Sequence, residues 1–201
     1  MRKTKSSTAQ RKAAASGRQR LRIIGGQWRG RRFEFPEAEG LRPTGDRIRE
    51  TLFNWLQVQV PGATVLDLYA GSGALGLEAA SRGAARVILN DASAKVTRHL
   101  SDISRTLDAQ DRIEVCTGSA LALLNNDAIR ADVVFVDPPF AAGLFDETLQ
   151  LLGQGACLAE GARIYLECPK GMALPAAFGT WFEVLREKST GQVDYRLLSR
   201  R

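Results

Sequence analysis

From Ala63 to the carboxyl terminus, short apolar runs alternate with stretches of helical spacing, and this alternation constrains the fold more than any other feature. Strands are predicted at 64–68, 86–89, 112–116, 132–136, 163–167, 182–188 and 193–199. Helical stretches near 74–82, 93–107, 119–125 and 145–152 separate the first five. Repeated strand–helix units imply an α/β fold with a mostly parallel sheet and helices on both faces. The last two strands have only a Thr190-Gly191 turn between them, so they are expected to form an antiparallel hairpin.

The chain before Ala63 has a different character. Residues 1–20 are rich in Lys, Arg, Ser and Ala, lack apolar periodicity, and read as a basic tail that is disordered in isolation. Leu21 to Phe35 alternates apolar and basic residues around Gly25-Gly26 and Gly30, which predicts a β-hairpin. Leu41-Arg42-Pro43-Thr44-Gly45 reads as a turn, with Thr44 or Asp46 placed to cap the following helix. In that helix Ile48, Leu52, Trp55 and Leu56 recur at helical spacing until Pro61-Gly62. Three segments follow: a tail over 1–20, a hairpin-and-helix extension over 21–60, and a main domain over 61–201.

Charge divides the chain at the same place. Residues 1–60 hold 14 Lys+Arg against 5 Asp+Glu, whereas residues 61–201 hold 14 against 17. The asymmetry suits an arm that meets a polyanion, joined to a near-neutral body with another task. A solubilising tail would account for the first residues equally well. It would not account for Arg29, Arg31 and Arg32 interleaved with Trp28 and Phe33, a mixture suited to phosphate pairing and base stacking. No apolar run is long enough to span a bilayer, and the amino terminus lacks the apolar core of a secretory signal. Cys116, Cys157 and Cys168 are odd in number and widely spaced, so neither a disulfide framework nor a metal site is expected, and a reducing cytoplasm is the expected compartment.

The first strand of the main domain leads into Asp67-Leu68-Tyr69-Ala70-Gly71-Ser72-Gly73-Ala74-Leu75-Gly76. Glycines at a strand-to-helix turn let backbone approach a ligand that a Cβ would exclude, with helix N–H groups facing it. Gly71-x-Gly73-x-x-Gly76 also satisfies the spacing of a dinucleotide loop. Asp67 argues against that ligand, because a carboxylate there would face a pyrophosphate. It suits a cation such as the ammonium of S-adenosylmethionine, and Val65–Gly73 resembles motif I of Rossmann-like methyltransferases. The second strand ends in Asn90-Asp91, where an acid can accept both ribose hydroxyls of a nucleoside.

The fourth strand runs directly into Asp137-Pro138-Pro139-Phe140. Tandem prolines remove two N–H donors and restrict φ, so the chain leaves the sheet rigidly at its carboxyl edge, where open α/β sheets bind ligands. The Asp137 side chain and the Pro138 carbonyl can accept both hydrogens of an exocyclic amine, and Phe140 offers a face for a planar ring. This is the (D/N)PP(F/Y) signature of enzymes that methylate an sp²-bound amino nitrogen. Methylation at cytosine C5 would need an activated cysteine following proline, and Cys168-Pro169 has the reverse order.

Two amino-terminal segments are more specific than either motif. Arg22-Ile23-Ile24-Gly25-Gly26-Gln27-Trp28-Arg29-Gly30-Arg31 and Leu41-Arg42-Pro43-Thr44-Gly45-Asp46-Arg47-Ile48-Arg49-Glu50-Thr51-Leu52-Phe53-Asn54-Trp55-Leu56 closely resemble the start of the RsmD family. These are bacterial methyltransferases acting on N2 of one guanosine in 16S rRNA. The likeness continues through 71–84, 137–140, 164–167 and 191–197. It implies a Rossmann-like class I methyltransferase fold with a seven-stranded sheet, S-adenosylmethionine as methyl donor without a metal, and 16S rRNA in the small ribosomal subunit as partner of a monomeric enzyme. Carried over by position, Asp67, Tyr69, Gly71, Ser72, Gly73, Asp91, Ser119 and Ala120 would bind the cofactor. Asp137, Pro138 and Phe140 would hold the guanine, Arg42, Thr44, Asp46, Arg47 and Arg49 would lie near the cofactor and target base, and Arg29, Arg31 and Arg32 join Arg42, Thr44, Arg47 and Arg49 as the expected RNA-binding residues. Asp91 stands where glutamate is common, and Ser119 where Asp or Asn often meets adenine N6.

Other residues are expected to be structural: Leu52 and Trp55 in the core, Trp28 packed rather than stacked, His99 at the surface. The competing readings are an adenine-N6 DNA methyltransferase, a nicotinamide-dependent oxidoreductase and a non-catalytic RNA-binding module. The first shares both motifs, but the chain has little room for a separate target-recognition segment.

Overall fold

The strands of the main sheet carry apolar side chains on both faces, which requires helices on both sides. The structure, a computed structural model, describes residues 18–36, 45–126, 128–139 and 143–201. Residues 1–17 of the basic tail, Arg42, Thr44 and Phe140 therefore lie outside the described residues.

Strands β1 (Arg18–Arg22) and β2 (Arg32–Pro36) form an antiparallel hairpin, followed by helix α1 (Asp46–Trp55). Strand β3 (Thr64–Asp67), helix α2 (Gly76–Ser81), β4 (Arg86–Asp91), α3 (Ala94–Thr106), β5 (Ile113–Thr117), α4 (Ala120–Leu124), β6 (Ala131–Val136), α5 (Phe145–Gly153), β7 (Leu158–Pro169), α6 (Phe178–Trp181), β8 (Phe182–Ser189) and β9 (Val193–Arg200) complete the chain. The sheet order is β5-β4-β3-β6-β7-β9-β8. β3 to β7 run parallel, while β9 is antiparallel to both β7 and β8, as the strand–helix alternation predicts.

Alternation along each strand sorts the two cores. Val65, Val87, Leu89, Val133 and Phe135 enter one core with the hairpin, α1, α2 and α3. Leu66, Ile88, Val134 and Val136 enter the other with α4, α5 and α6. Helix α3 begins at an N-cap serine, Ser93, whose hydroxyl accepts the Val96 N–H at 3.4 Å.

The hairpin is fastened to the end of α2. The Gln27 N–H donates to the Ser81 carbonyl at 2.8 Å, the Trp28 N–H to Ser81 Oγ at 3.0 Å, and Ser81 Oγ to the Gly25 carbonyl at 2.6 Å. Gly26 has φ +72°, and a Cβ there would overlap the Ser81 carbonyl. Gly30, at φ +86°, faces open space. Gly26→Ala is therefore expected to destabilise the protein by at least about 2 kcal/mol, and Gly30→Ala by only about 1 kcal/mol. Equal urea midpoints for the two variants would show that the hairpin is not fastened there.

The structure departs from the sequence-based expectations in a few places. β1 begins at Arg18, inside the stretch assigned to the tail. β7 starts at Leu158 rather than 163; Gly161 at φ +72° and a register shift opposite Ala131/Val133 break the alternation that would have revealed it. The short helix α6 lies in a stretch without helical periodicity, placed by Trp181, which packs against Gly153. Asp46 does not cap α1: Gly45 occupies the N-cap without a side-chain bond, and Asp46 instead pairs with Arg22 at 2.8 Å and Arg49 at 2.5 Å. His99 is half-buried with Nε2 shielded from solvent, rather than on the surface. Trp28 and Trp55 pack as expected: Trp28 is buried, with the Arg112 guanidinium 4.7 Å from its ring centroid, and Trp55 stacks on Tyr195 at 5.6 Å.

Candidate active site

Strand order reverses at β3: the chain proceeds outward through β4 and β5, then returns to place β6 on the other side. The crevice beyond the carboxyl ends of β3 and β6 is where open α/β sheets bind ligands. β3 delivers Asp67 and the glycine loop to this edge, and β6 delivers Asp137 and Pro138. In register, Asp67 lies opposite Phe135, two residues before Asp137.

The glycine loop is held by its neighbours. Gly71 and Gly73 adopt φ +51° and +77°, values that favour glycine. The Gly71 N–H donates to Asp91 Oδ2 at 3.0 Å, while Asp91 Oδ1 accepts the Ser93 N–H at 2.8 Å. The Tyr69 hydroxyl lies 2.6 Å from Thr148 Oγ1 on α5, anchoring the loop from the other side. Ser72 is buried, Ser119 is exposed at the start of α4, and Ala120 is buried.

One contributor was not legible as such in the sequence. Asn90, 2% exposed, donates through Nδ2 to the Leu68 carbonyl at 3.0 Å and the Gly118 carbonyl at 3.2 Å. It braces the loop after β3 to the loop after β5. The only signal was an amide closing an otherwise apolar strand.

Asp67 lies under the loop, 3% exposed, and its Oδ2 accepts the Gly76 N–H at 3.0 Å. Burial pushes its carboxyl up from 3.8 to about 7; the Asp91 charge adds to this, while the Gly76 and Tyr69 amides oppose it. Between those values the folded state binds more protons than the unfolded one, so this group's stabilisation is lost as pH rises from about 4 through about 7. The full loss is on the order of 4 kcal/mol. Asp67→Asn is expected to flatten that decline in denaturation followed against pH; an identical slope in both proteins would count against it.

On the neighbouring strand, Leu166 pairs with Val136, which sets Glu167 beside Asp137. Asp137 is half-buried and Pro138 buried. The Tyr165 hydroxyl donates to Glu167 Oε2 at 2.7 Å. Burial raises the Tyr165 pKa well above its usual value, with the charges of Glu167 and Asp137 adding to it.

The arginines expected to face RNA separate into two groups. Arg29, Arg31, Arg32 and Arg47 are exposed, and Arg31 donates to the Thr106 carbonyl at 3.3 Å. Arg49 is 2% exposed, lodged between Asp46 at 2.5 Å and Glu78 at 3.5 Å. It presents no face to RNA, because the apolar spacing of α1 carries its position into the core. Arg42 and Thr44, also expected to face RNA, and Phe140 lie outside the described residues.

Residues 21–199 match the family described as Conserved hypothetical protein 95. The chain belongs to this family. A curated relative, ribosomal RNA small subunit methyltransferase D of Escherichia coli, is 46% identical over 185 residues, 92% of each chain. The solved structure of the Escherichia coli protein yhhF superposes with a TM-score of 0.79 at 43% identity, covering 91% of this chain and 99% of that one. An S-adenosylmethionine-dependent methyltransferase from Thiobacillus denitrificans, solved with S-adenosyl-L-homocysteine, has a TM-score of 0.64 at 16% identity, covering 82% and 95%, a likeness of fold alone. These neighbours share the Rossmann-like sheet that the strand order here defines. Among the described residues no helix is long and apolar enough to cross a membrane.

The residues at the crevice fit S-adenosylmethionine. Asp91 offers a carboxylate at the end of β4, the loop carries no side chain at Gly71 or Gly73, and a Cβ on Gly118 would project into open space.

Proposed function

We propose that this chain is a cytoplasmic enzyme that methylates the exocyclic N2 amine of a guanosine in 16S rRNA of the small ribosomal subunit, using S-adenosylmethionine. The observation that carries this reading is the delivery of Asp137-Pro138 to the same sheet edge as the glycine loop, from adjacent strands β6 and β3. The name of the 46% identical relative supports the rRNA substrate.

When bound, S-adenosylmethionine supplies an electrophilic sulfonium methyl. The chain's own residues hold and aim the amine. A conjugated amine is a weak nucleophile because its lone pair is delocalised into the ring. The Asp137 carboxylate and the Pro138 carbonyl accept its two hydrogens, draw the nitrogen toward sp³ geometry and direct its lone pair at the methyl. Asp91 accepts the ribose hydroxyls, and buried Asp67 stabilises positive charge at the methionine end. The exposed arginines of the hairpin and Arg47 pair with RNA phosphates, which positions the RNA without selecting a base.

Labelled cofactor offered with 30S particles, free 16S rRNA and duplex DNA tests the proposal. The expected product is N2-methylguanosine at one 16S position, found by mass mapping of the ribosomal substrates. Label in DNA adenines, with none in rRNA, would overturn it.

A further inference from the structure

Glu167 is 7% exposed, ends at the carboxyl edge of β7 and takes no part in the chemistry above. Parity places it. Phe135 and Tyr165 lie edge to face at 6.2 Å in the core shared with α1. Glu167, two residues on from Tyr165 in β7, points to that same side, and Asp137, the residue directly after β6, lies near enough to act on Tyr165 by its charge. Carried one residue beyond the Val136–Leu166 pair, the register sets Asp137 and Glu167 on neighbouring chain segments, roughly 4.8 Å apart along the backbone. Among the described residues no Lys or Arg pairs with Glu167; its hydrogen-bond donor is the Tyr165 hydroxyl at 2.7 Å. Tyr165 is itself wedged between Phe135 and Tyr195, so the carboxylate is held in one orientation.

The Tyr165 hydroxyl fills only part of the capacity of a carboxylate, which can accept further N–H donors. The base in the proposed reaction has such a donor in the right place. Guanine carries N1–H immediately beside the N2 amine, on the same edge. Adenine carries at N1 a lone pair, which a carboxylate repels.

Resting on the guanine-N2 reading, we propose that Glu167 is a specificity-determining residue that accepts the N1–H of the target guanine, with Tyr165 as its positioning residue. Asp137 and Pro138 hold the amine that reacts; Glu167 checks the atom next to it. A site built around a substrate N–H strongly rejects an analogue that lacks it, because its buried acceptor is left unmatched.

The test uses 30S particles carrying either guanosine or 2-aminopurine at the nucleotide that the wild-type protein methylates. 2-Aminopurine keeps the 2-amine but has an acceptor at N1. Wild-type protein is expected to favour guanosine by about 100-fold in kcat/KM. In E167Q the amide can donate to N1, so the preference should fall below about 10-fold, with S-adenosylmethionine affinity unchanged. A preserved 100-fold ratio in folded, cofactor-binding E167Q would overturn the proposal. Should E167Q not fold, Tyr165→Phe carries the test: loss of the orienting hydroxyl should narrow the ratio several-fold, and an unchanged ratio overturns the assignment. Failure of wild-type protein to methylate guanosine at all would instead remove the guanine-N2 reading itself.

Discussion

Asp137→Ala is expected to lower methyl transfer to the small subunit by about 10²–10³-fold while leaving S-adenosylmethionine affinity within about twofold of wild type. The expectation follows from where the two ends of the site come from. The proposed cofactor side is built on β3, β4 and the loop after β5, whereas Asp137 follows β6 directly and would touch the proposed amine. Truncating it removes an acceptor that strengthens only as the amine becomes nucleophilic, so kcat should fall more than substrate affinity. Asp137→Asn keeps an oxygen acceptor without the charge and should lie between the two. Single-turnover rates and cofactor titrations on the three proteins decide the matter. Wild-type turnover in Asp137→Ala would remove the carboxylate from the mechanism, and a parallel loss of cofactor affinity would place it on the donor side.

Glu78→Ala should be the most destabilising single change, about 3–5 kcal/mol, or a fall in melting midpoint of roughly 10 °C. Glu78 is fully buried and binds three partners: the Ile24 N–H at 2.8 Å, Arg82 Nε at 2.7 Å and Arg49 Nη1 at 3.5 Å. Removing it strips Arg49 of a buried counter-charge and leaves Arg82 Nε and the Ile24 amide short of an acceptor. Glu78→Gln keeps the shape and an acceptor and is expected to recover part of the loss. A change below about 1 kcal/mol for Glu78→Ala would mean that the site is wet enough to solvate the guanidinium.

Glu78 also illustrates how far the amino-acid sequence can be read. The alternation of strand and helix gave the parallel sheet and its closing hairpin because both periods are local. Asp67 and Asp137 could be placed near strand ends for the same reason, since each lies at the end of an apolar run, and Asp91 one residue beyond another. Glu78 and Asn90 could not be recognised, because a polar residue in a helix or at a strand end looks solvated until distant partners such as Ile24, 54 residues from Glu78, or Leu68, 22 from Asn90, are known. Arg49 is the converse case. Its place in a basic, arginine-rich segment suggests an RNA contact, yet its position on α1 buries it beside Glu78. The start of β7 was hidden by Glu160-Gly161, which interrupts the alternation where the strand bulges.

The fastening of the hairpin to α2 has a consequence for anyone who would re-engineer the protein. Leu21, Ile23, Trp28 and Phe35 belong to the same apolar core as Val65 and Phe135, so the amino-terminal arm is not a detachable cassette. Cutting it away would bare an oily footprint on the catalytic body. Transplanting it onto another methylase would require the recipient to carry the Ser81–Arg82 corner and a carboxylate at the Glu78 position, or the graft would have nothing to grip.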